Sequence, residues 1–251
     1  MDSLKQACLA VEPQDMEAHR IIVAGIGPGH PDYMVPAARK AIAEAQALVG
    51  GTRALAQFAR GGADAAEVLH DTKKLAAATT GDAARELLPQ ETCVVKRDLG
   101  RVMAFIHEHL EASDVVVMVS GDPGYFSLLD ALRRTFPEGI IDVIPGISAM
   151  QLAFARLALP WHDADLLSFH GRVPEDGALA YRAGRTLGLL TDQIHHSQAI
   201  AQTLLAHGWP VAARFAICAR LSYEDETIDR MTLGEAAKHP AVGSCIVIVE
   251  G

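Results

Sequence analysis

Short, strongly apolar runs recur along the chain and alternate with segments whose apolar residues follow a helical period. The runs IIVAG at 21–25, VVVMV at 115–119 and IIDVI at 140–144 have the length of buried strands. They are much shorter than the roughly 20 residues that a membrane-spanning helix needs. Strands that alternate with helices are typical of βαβ units and parallel sheets, so the chain is predicted to be α/β almost throughout.

The same patterns place the remaining elements. Further strands are predicted at 47–49, 67–69, 166–169, 186–190, 215–218, 227–231 and 245–249, and helices at 36–47, 53–60, 82–88, 99–111, 125–136, 147–157, 197–207 and 233–238. The stretch TFPEGIIDVIPG at 135–146, with two prolines and two glycines, is typical of a crossing between two α/β units. We therefore predict a polar N-terminal extension at 1–19, an N-terminal α/β domain at 20–140 and a C-terminal α/β domain at 141–251.

Charge and cysteine usage exclude several classes of protein. The chain carries 22 basic and 31 acidic residues, a formal net charge of −9, whereas a nucleic-acid-binding protein needs a basic face. Four scattered cysteines form no C-x-x-C pair, and the histidines show no H-E-x-x-H spacing, so no disulfide framework and no protein-bound metal are indicated. The acidic N-terminus lacks the apolar core of a signal peptide, and we expect a cytoplasmic protein with no membrane span.

Three loops rich in small residues follow predicted strands. GIGPG at 25–29 fails as a dinucleotide fingerprint, because His30 stands where the third glycine is needed and Pro28 has no N–H to offer a phosphate. VSGDPGYF at 119–126 and PGISAM at 145–150 also follow strands, and such loops lie at the carboxyl edge of a parallel sheet, where ligands bind. Together they offer main-chain groups to a ligand recognised by shape. Asp122 could meet a hydroxyl or a positive charge, although an aspartate in S-G-D-P also serves a turn by binding its own backbone.

The three loops carry a family resemblance. GIGPG at 25–29, SGDPGYF at 120–126 and IPGISA at 144–149, in this order, resemble the tetrapyrrole (corrin and porphyrin) methylases, the class III S-adenosyl-L-methionine-dependent methyltransferases. The resemblance covers about 20–251. It implies a two-domain fold with a mainly parallel N-terminal sheet and a mixed C-terminal sheet, S-adenosyl-L-methionine as cofactor with S-adenosylhomocysteine as product, and a donor site in the cleft between the domains.

Further stretches resemble one branch of that family, the precorrin-6Y methylase subunit type, which methylates carbon 5 of a corrin precursor. They are VGGTRAL at 49–55, RDLG at 97–100, FHGR at 169–172, LTDQIHHSQAIAQTLLAHG at 190–208 and LSYEDETI at 221–228. Gly51 takes the place of an aspartate proposed as general base in the sirohaem-pathway relatives, which disfavours uroporphyrinogen as substrate. The chain ends at VIVEG without a fused second methyltransferase domain, so the resemblance implies conversion of cobalt-precorrin-7 to cobalt-precorrin-8 in cobalamin biosynthesis, beside a separate partner acting at carbon 15. A metal-free corrinoid is the other substrate considered.

The resemblance also assigns roles to residues. It places the donor against Pro28, Ser120, Gly121, Asp122, Tyr125, Ser148, Ala149, Leu190 and Leu221. For a ring that bears several carboxylates, it implies Gly29 and Arg172 as substrate contacts, with Arg97 and Arg101 as a second basic cluster that could equally be a solvated helix start. His30, Asp32 and His170 are the acid or base candidates. Family analogy further implies a homodimer.

Two other interpretations share the same fold class. One is another methylase of this fold, either diphthine-forming or acting on ribosomal-RNA ribose; the net charge of −9 disfavours RNA. The other is a non-catalytic nucleotide-binding α/β protein, in which the three loops would only sense a ligand.

Overall fold

The chain forms two compact units, each built on one five-stranded sheet. The computed structural model describes residues 19–60 and 90–251. Of these, the first unit contains residues 19–27, 31–60 and 90–147, and the second contains Pro28–His30 and Ser148–Gly251.

The first unit is a parallel sheet with helices on both faces. Its strands are β1 (Ile21–Gly25), β2 (Ala47–Gly50), β3 (Glu91–Val94), β4 (Val115–Val119) and β5 (Ile141–Ile144). They lie in the order β3-β2-β4-β1-β5, and every neighbouring pair is parallel. The helices are α1 (Pro36–Glu44), α2 (Thr52–Phe58), α3 (Leu99–His109) and α4 (Leu129–Thr135), with short 3-10 turns at Pro31–Tyr33 and Glu138–Ile140.

The central strand β4 explains the layering. All five residues of VVVMV are buried, as expected for a strand covered on both faces. Because successive side chains point to opposite faces, Val115 and Val117 pack into the cluster that includes α3, whereas Val116 and Met118 pack with α1 and α2. The unbroken apolar run seen in the sequence is therefore the signature of a three-layer unit.

The second unit has a mixed sheet. Its strands are β6 (Asp165–Ser168), β7 (Thr186–Leu190), β8 (Arg214–Ala219), β9 (Thr227–Thr232) and β10 (Ile246–Glu250), in the order β6-β7-β10-β8-β9. Only β6 and β7 pair in parallel, and the other pairs are antiparallel. Its helices are α5 (Ala149–Leu157), α6 (Asp176–Leu179), α7 (Ser197–Ala206) and α8 (Leu233–Ala236).

Helices cover both faces of this sheet too. Residues of β7, β8 and β10 form one apolar cluster with α7 and α8. On the other face α5 lies close to β7, because Gly188 has no side chain: a Cβ there would lie 2.7 Å from Sδ of Met150 and 3.0 Å from the ring of Phe154. Both sheets confirm the predicted α/β class, with a parallel N-terminal sheet and a mixed C-terminal one.

Some boundaries differ from the sequence-based expectation. The predicted division at residue 140 would separate β5 from its sheet, but Ile21–Ala24 of β1 pairs in register with Ile141–Ile144, and the chain leaves the first unit only at Ile147. The predicted helix at 125–136 begins instead at Leu129, because Phe126 has a left-handed φ of 50° that a helix cannot contain.

One strand, β3, was not predicted from the sequence. β3 reads ETCV at the edge of its sheet with two exposed residues, so it lacks an apolar run or a clear alternation. The predicted strand at 67–69 and helix at 82–88 lie outside the described residues. None of the helices in residues 19–60 and 90–251 is long and apolar enough to span a membrane.

Candidate functional site

Three loops meet at the carboxyl edge of the first sheet, because the strands that they follow are neighbours. β4, β1 and β5 lie side by side. Beyond the strands, Gly27 and Gly121 form an isolated bridge, in which the N–H of Gly121 donates to the carbonyl of Gly27 at 2.8 Å. The N–H of Ile26 likewise donates to the carbonyl of Val119 at 3.0 Å. The loops after β1 and β4 are thus held together by main-chain hydrogen bonds.

Glycines let these loops approach main chain to main chain. A Cβ on Gly25 would lie 2.7 Å from both the carbonyl oxygen of Gly121 and the amide nitrogen of Gly146. A Cβ on Gly146 would overlap the same Gly121 carbonyl and lie 2.9 Å from Cα of Gly25. Gly27 and Gly121 also have φ values of 76° and 73°, which other residues adopt at a cost. The close contact between these loops therefore requires residues without side chains at positions 25 and 146.

The Asp122 carboxylate braces two of the loops. Its Oδ1 accepts a hydrogen bond from the N–H of Gly124 at 2.8 Å, and its Oδ2 accepts one from the N–H of Gly146 at 3.0 Å. The first bond is the turn role that S-G-D-P suggests. The second bond joins the loop after β4 to the loop after β5 and was not foreseen. An ionised carboxylate has further lone pairs, so Asp122 can brace the loops and still accept from a ligand.

Tyr125 places a hydroxyl group in the same loop. Within the described residues this oxygen is buried and has no hydrogen-bond partner, and burial raises the pKa of Tyr125 to about 12. The hydroxyl is therefore protonated at neutral pH and available as a donor. Its neighbour Phe126 stays 46% exposed in a left-handed conformation, with its ring 4.8 Å from that of Tyr125. Backbone strain of this kind clusters at ligand-binding loops.

A conservative substitution tests the buried hydroxyl. Tyr125→Phe removes only the oxygen, which has no partner in the described part of the chain, so we expect the thermal stability of the ligand-free protein to stay the same or rise slightly. If the ligand accepts from this hydroxyl, the Kd for S-adenosylhomocysteine rises about fivefold, because one buried hydrogen bond is worth roughly 1 kcal/mol. Calorimetric titration and a thermal melt measure the two effects. An unchanged Kd would remove Tyr125 from the binding surface.

The other residues of the first loop, Pro28–His30, belong to the second unit. A Cβ on Gly29 would overlap the ring of Tyr223, and the N–H of His30 donates to Oγ of Ser222 at 3.0 Å. These three residues therefore pack against the turn between β8 and β9. In that turn Arg220 and Ser222 both have left-handed φ values, of 53° and 72°.

Hydrogen bonds and ion pairs stabilise this turn. The N–H of Ser222 donates to the carboxylate of Glu226 at 2.7 Å, and Glu226 also pairs with Arg156 at 2.6 Å, which lowers the pKa of Glu226. Arg220 pairs with Asp225 at 2.9 Å. These contacts hold Arg220 and Ser222 in the left-handed conformation, which costs free energy for a residue other than glycine.

The other residues of the second unit that were predicted to bind the methyl donor lie on three elements. Ser148 caps α5 in a capping box with Gln151, so its hydroxyl accepts from the Gln151 N–H at 3.1 Å. Ala149 is the first residue of α5, Leu190 is the last residue of β7, and Leu221 is buried in the turn after β8. Their roles toward a ligand stay predictions.

Two loops at the carboxyl ends of β6 and β7 meet through a residue that sequence analysis missed. Oδ2 of Asp192 accepts from the N–H of Gly171 at 3.0 Å, and Oδ1 accepts from the N–H groups of Ile194 and His195. The Gly171 bond first, and then those to His195 and Ile194, hold the pKa of Asp192 well below its usual range. The only sequence signal was the position of Asp192 just after a strand, within LTDQIHH.

The predicted acid, base and basic residues lie on several elements of the two units. Asp32 is exposed in the 3-10 turn of the first unit, and His30 is exposed in the second unit. His170 and Arg172 are exposed in the loop after β6, whereas Arg97 and Arg101 are exposed around the start of α3 in the first unit. Their proposed roles stay predictions. No group of three or more potential metal ligands occurs in residues 19–60 and 90–251.

Comparison with known proteins identifies the family. The model of the tetrapyrrole (corrin/porphyrin) methylases matches residues 20–237. The chain therefore belongs to this family of S-adenosyl-L-methionine-dependent C-methyltransferases, and the resemblance found in the sequence is confirmed. Its use of S-adenosyl-L-methionine is likewise confirmed.

Individual relatives are named as methyltransferases of precorrins and of uroporphyrin-III. A cobalt-precorrin-7 C(5)-methyltransferase from Salmonella typhimurium is 30% identical over 188 residues, which cover 75% of this chain and 79% of that protein. The solved precorrin-6Y methylase of Archaeoglobus fulgidus superposes with a TM-score of 0.59 at 21% identity, covering 93% of this chain and 97% of its own. Uroporphyrin-III C-methyltransferase of Thermus thermophilus, solved with S-adenosylhomocysteine, gives a TM-score of 0.61 at 20% identity over 92% and 91%.

The residues of the first unit fit the family's methyl donor. Gly25, Gly121 and Gly146 approach one another main chain to main chain, and a side chain at Gly25 or Gly146 would collide with neighbouring backbone. The buried Tyr125 hydroxyl adds a hydrogen-bond donor without a partner in the described chain. Glycine-rich loops with the Tyr125 hydroxyl as a hydrogen-bond donor and the Asp122 carboxylate as an acceptor suit a nucleoside recognised by shape.

Proposed function

We propose that this methyltransferase acts on carbon 5 of cobalt-precorrin-7, converting it to cobalt-precorrin-8 in cobalamin biosynthesis. The observation that carries the proposal is the 30% identity, over three quarters of this chain, to a relative named for that reaction. The stretches FHGR at 169–172 and LTDQIHH at 190–196 support the same branch.

The first unit has the properties of a donor-binding site. S-adenosyl-L-methionine, when bound, supplies an electrophilic methyl group on a sulfonium sulfur. The loops after β1 and β4 are joined by main-chain hydrogen bonds, Asp122 keeps the loops after β4 and β5 in register, and the buried Tyr125 hydroxyl can donate to the ligand. Because these groups are held by the fold before a ligand arrives, binding orders little additional chain.

The corrinoid is a large ring with several carboxylates, and an acidic protein must hold it with concentrated basic groups. Arg172 is the proposed anchor in the second unit, because its loop follows β6 at the carboxyl edge of a parallel strand pair. The main chain of that loop is fixed by the bond from Gly171 to Asp192. A guanidinium on a positioned loop can bind a carboxylate through two parallel hydrogen bonds.

A labelling experiment tests the proposed reaction. Incubation with cobalt-precorrin-7 and donor bearing a 13C-methyl group is expected to add one methyl per corrinoid, and NMR is expected to locate it on carbon 5. The parallel reaction with metal-free precorrin-7 measures the preference for cobalt. A methyl group on another carbon, or no transfer to either corrinoid, would contradict the proposal.

Two further predictions concern partners. We propose a homodimer, which sedimentation equilibrium of the purified chain would test, and a separate methyltransferase for carbon 15. Both rest on family analogy.

A further inference from the structure

The loops after β6 and β7 bring a histidine and an aspartate into direct contact. Nδ1 of His195 lies 3.2 Å from Oδ1 and 3.3 Å from Oδ2 of Asp192. The Asp192 side chain is 16% exposed and that of His195 is 28% exposed, so the pair is largely shielded but can be reached from solvent. The His195 ring also lies 5.7 Å from that of Phe169, which follows β6.

The carboxylate is fixed before it meets the imidazole. Three main-chain N–H groups, from Gly171, Ile194 and His195, donate to its two oxygens. These bonds hold the pKa of Asp192 well below its usual range, so the side chain stays anionic. An anion next to Nδ1 favours the tautomer that carries its proton there, which leaves a lone pair on Nε2.

His195 differs from His109 and His207, two other histidines that lie next to a carboxylate. In His109 and His207, Nδ1 faces the carbonyl of the residue four positions earlier, and Nε2 faces a carboxylate, so both ring nitrogens are engaged. His196 uses Nδ1 to cap α7. By contrast, Nε2 of His195 has no hydrogen-bond partner among residues 19–60 and 90–251.

The location connects this pair to the proposed substrate anchor. β6 and β7 are parallel, so the two loops lie at the carboxyl edge where α/β sheets bind ligands. Asp192 accepts from Gly171, the residue before Arg172. One carboxylate therefore positions both the imidazole and the loop that carries the proposed carboxylate-binding arginine. The other titratable or charged side chains on these loops are His170, Arg172, Glu175 and His196.

We propose that Asp192 and His195 form an acid–base dyad, in which Nε2 of His195 accepts the proton that the corrinoid ring loses on methylation and Asp192 is the positioning residue. The inference rests on the proposed C-methylation. The new carbon–carbon bond uses an electron pair of the ring, and the sulfur keeps the pair of the bond that breaks. One ring proton then leaves to Nε2, and its bonding pair restores the ring's conjugation. The imidazolium later returns this proton to water.

His195→Gln tests the dyad, with His207→Gln as the matched control. His207 is also paired with an aspartate, at 3.4 Å from Asp176, but we assign it no part in the reaction. We expect His195→Gln to lower kcat about 100-fold, as typical for loss of a general base, while the Kd values for S-adenosylhomocysteine and corrinoid change less than twofold. His207→Gln should retain the wild-type kcat.

Two readouts separate proton transfer from a structural role. A general base acts only in its unprotonated form, so the wild-type kcat should fall at low pH, and this fall should be absent in His195→Gln. In the ligand-free protein, 15N NMR should show His195 with its proton on Nδ1, and Asp192→Asn should shift the ring toward a mixture of tautomers. If His195→Gln has the wild-type kcat, or if the proton of His195 lies on Nε2, the proposed dyad is wrong but the proposed function is not affected. An inactive wild-type protein would overturn the proposed function as well.

Discussion

Gly146→Ala will abolish or severely weaken binding of S-adenosylhomocysteine to this protein. The added Cβ would overlap the Gly121 carbonyl and press on the Gly25 backbone at 2.9 Å, and main chain cannot rotate away as a flexible side chain can. The loops after β1, β4 and β5 must then separate. Overpacking of this kind costs about 3 kcal/mol, which corresponds to roughly a 100-fold rise in Kd if it falls on the bound state.

Calorimetric titration with S-adenosylhomocysteine measures this loss, and Gly139→Ala is the control. A Cβ on Gly139 meets no atom within 4 Å, so that variant should bind and melt like the wild type. Circular dichroism at the assay temperature shows whether Gly146→Ala is folded. A folded Gly146→Ala protein with the wild-type Kd would show that the donor does not use this edge of the first sheet.

Asp122→Ala is expected to weaken donor binding about tenfold and to lower the melting temperature. The substitution removes the acceptor of the exposed Gly124 N–H and of the partly buried Gly146 N–H, and each lost hydrogen bond costs about 0.5–1.5 kcal/mol. Asp122→Asn should have a Kd and a melting temperature between those of the wild type and of Asp122→Ala. Its amide oxygen can accept from one of the two N–H groups, whereas its NH2 group faces the other N–H and cannot accept from it. Titration and thermal melts of both variants measure the order.

A change of charge alone should not reproduce this result. Asp163→Ala removes an aspartate whose side chain is 91% exposed, and it should leave both the Kd and the melting temperature unchanged. If Asp122→Ala keeps the wild-type Kd and only its melting temperature falls, the carboxylate braces the fold without contributing to the donor site.

Local patterns were sufficient for much of the architecture. The run VVVMV predicted a strand buried on both faces, and β4 is one. TLGLL at 186–190 was bounded correctly, and the fold class follows from such runs alternating with helices. These features depend on side chains within a few residues of one another, so they are readable without knowing the strand order. The edge strand ETCV was missed because it buries too little to carry a pattern.

The sequence by itself also determined the family and the three loops that follow β1, β4 and β5, since small residues after apolar runs are local signals. Only the tertiary structure decided that the Asp122 carboxylate meets Gly146, 24 residues away, and that Asp192 meets Gly171, 21 residues away. It also decided that β5 joins the first sheet and that the Tyr125 hydroxyl is buried. The physical reason is that such contacts depend on which strands become neighbours. That choice is made by packing across the whole sheet, and no short stretch of sequence contains it.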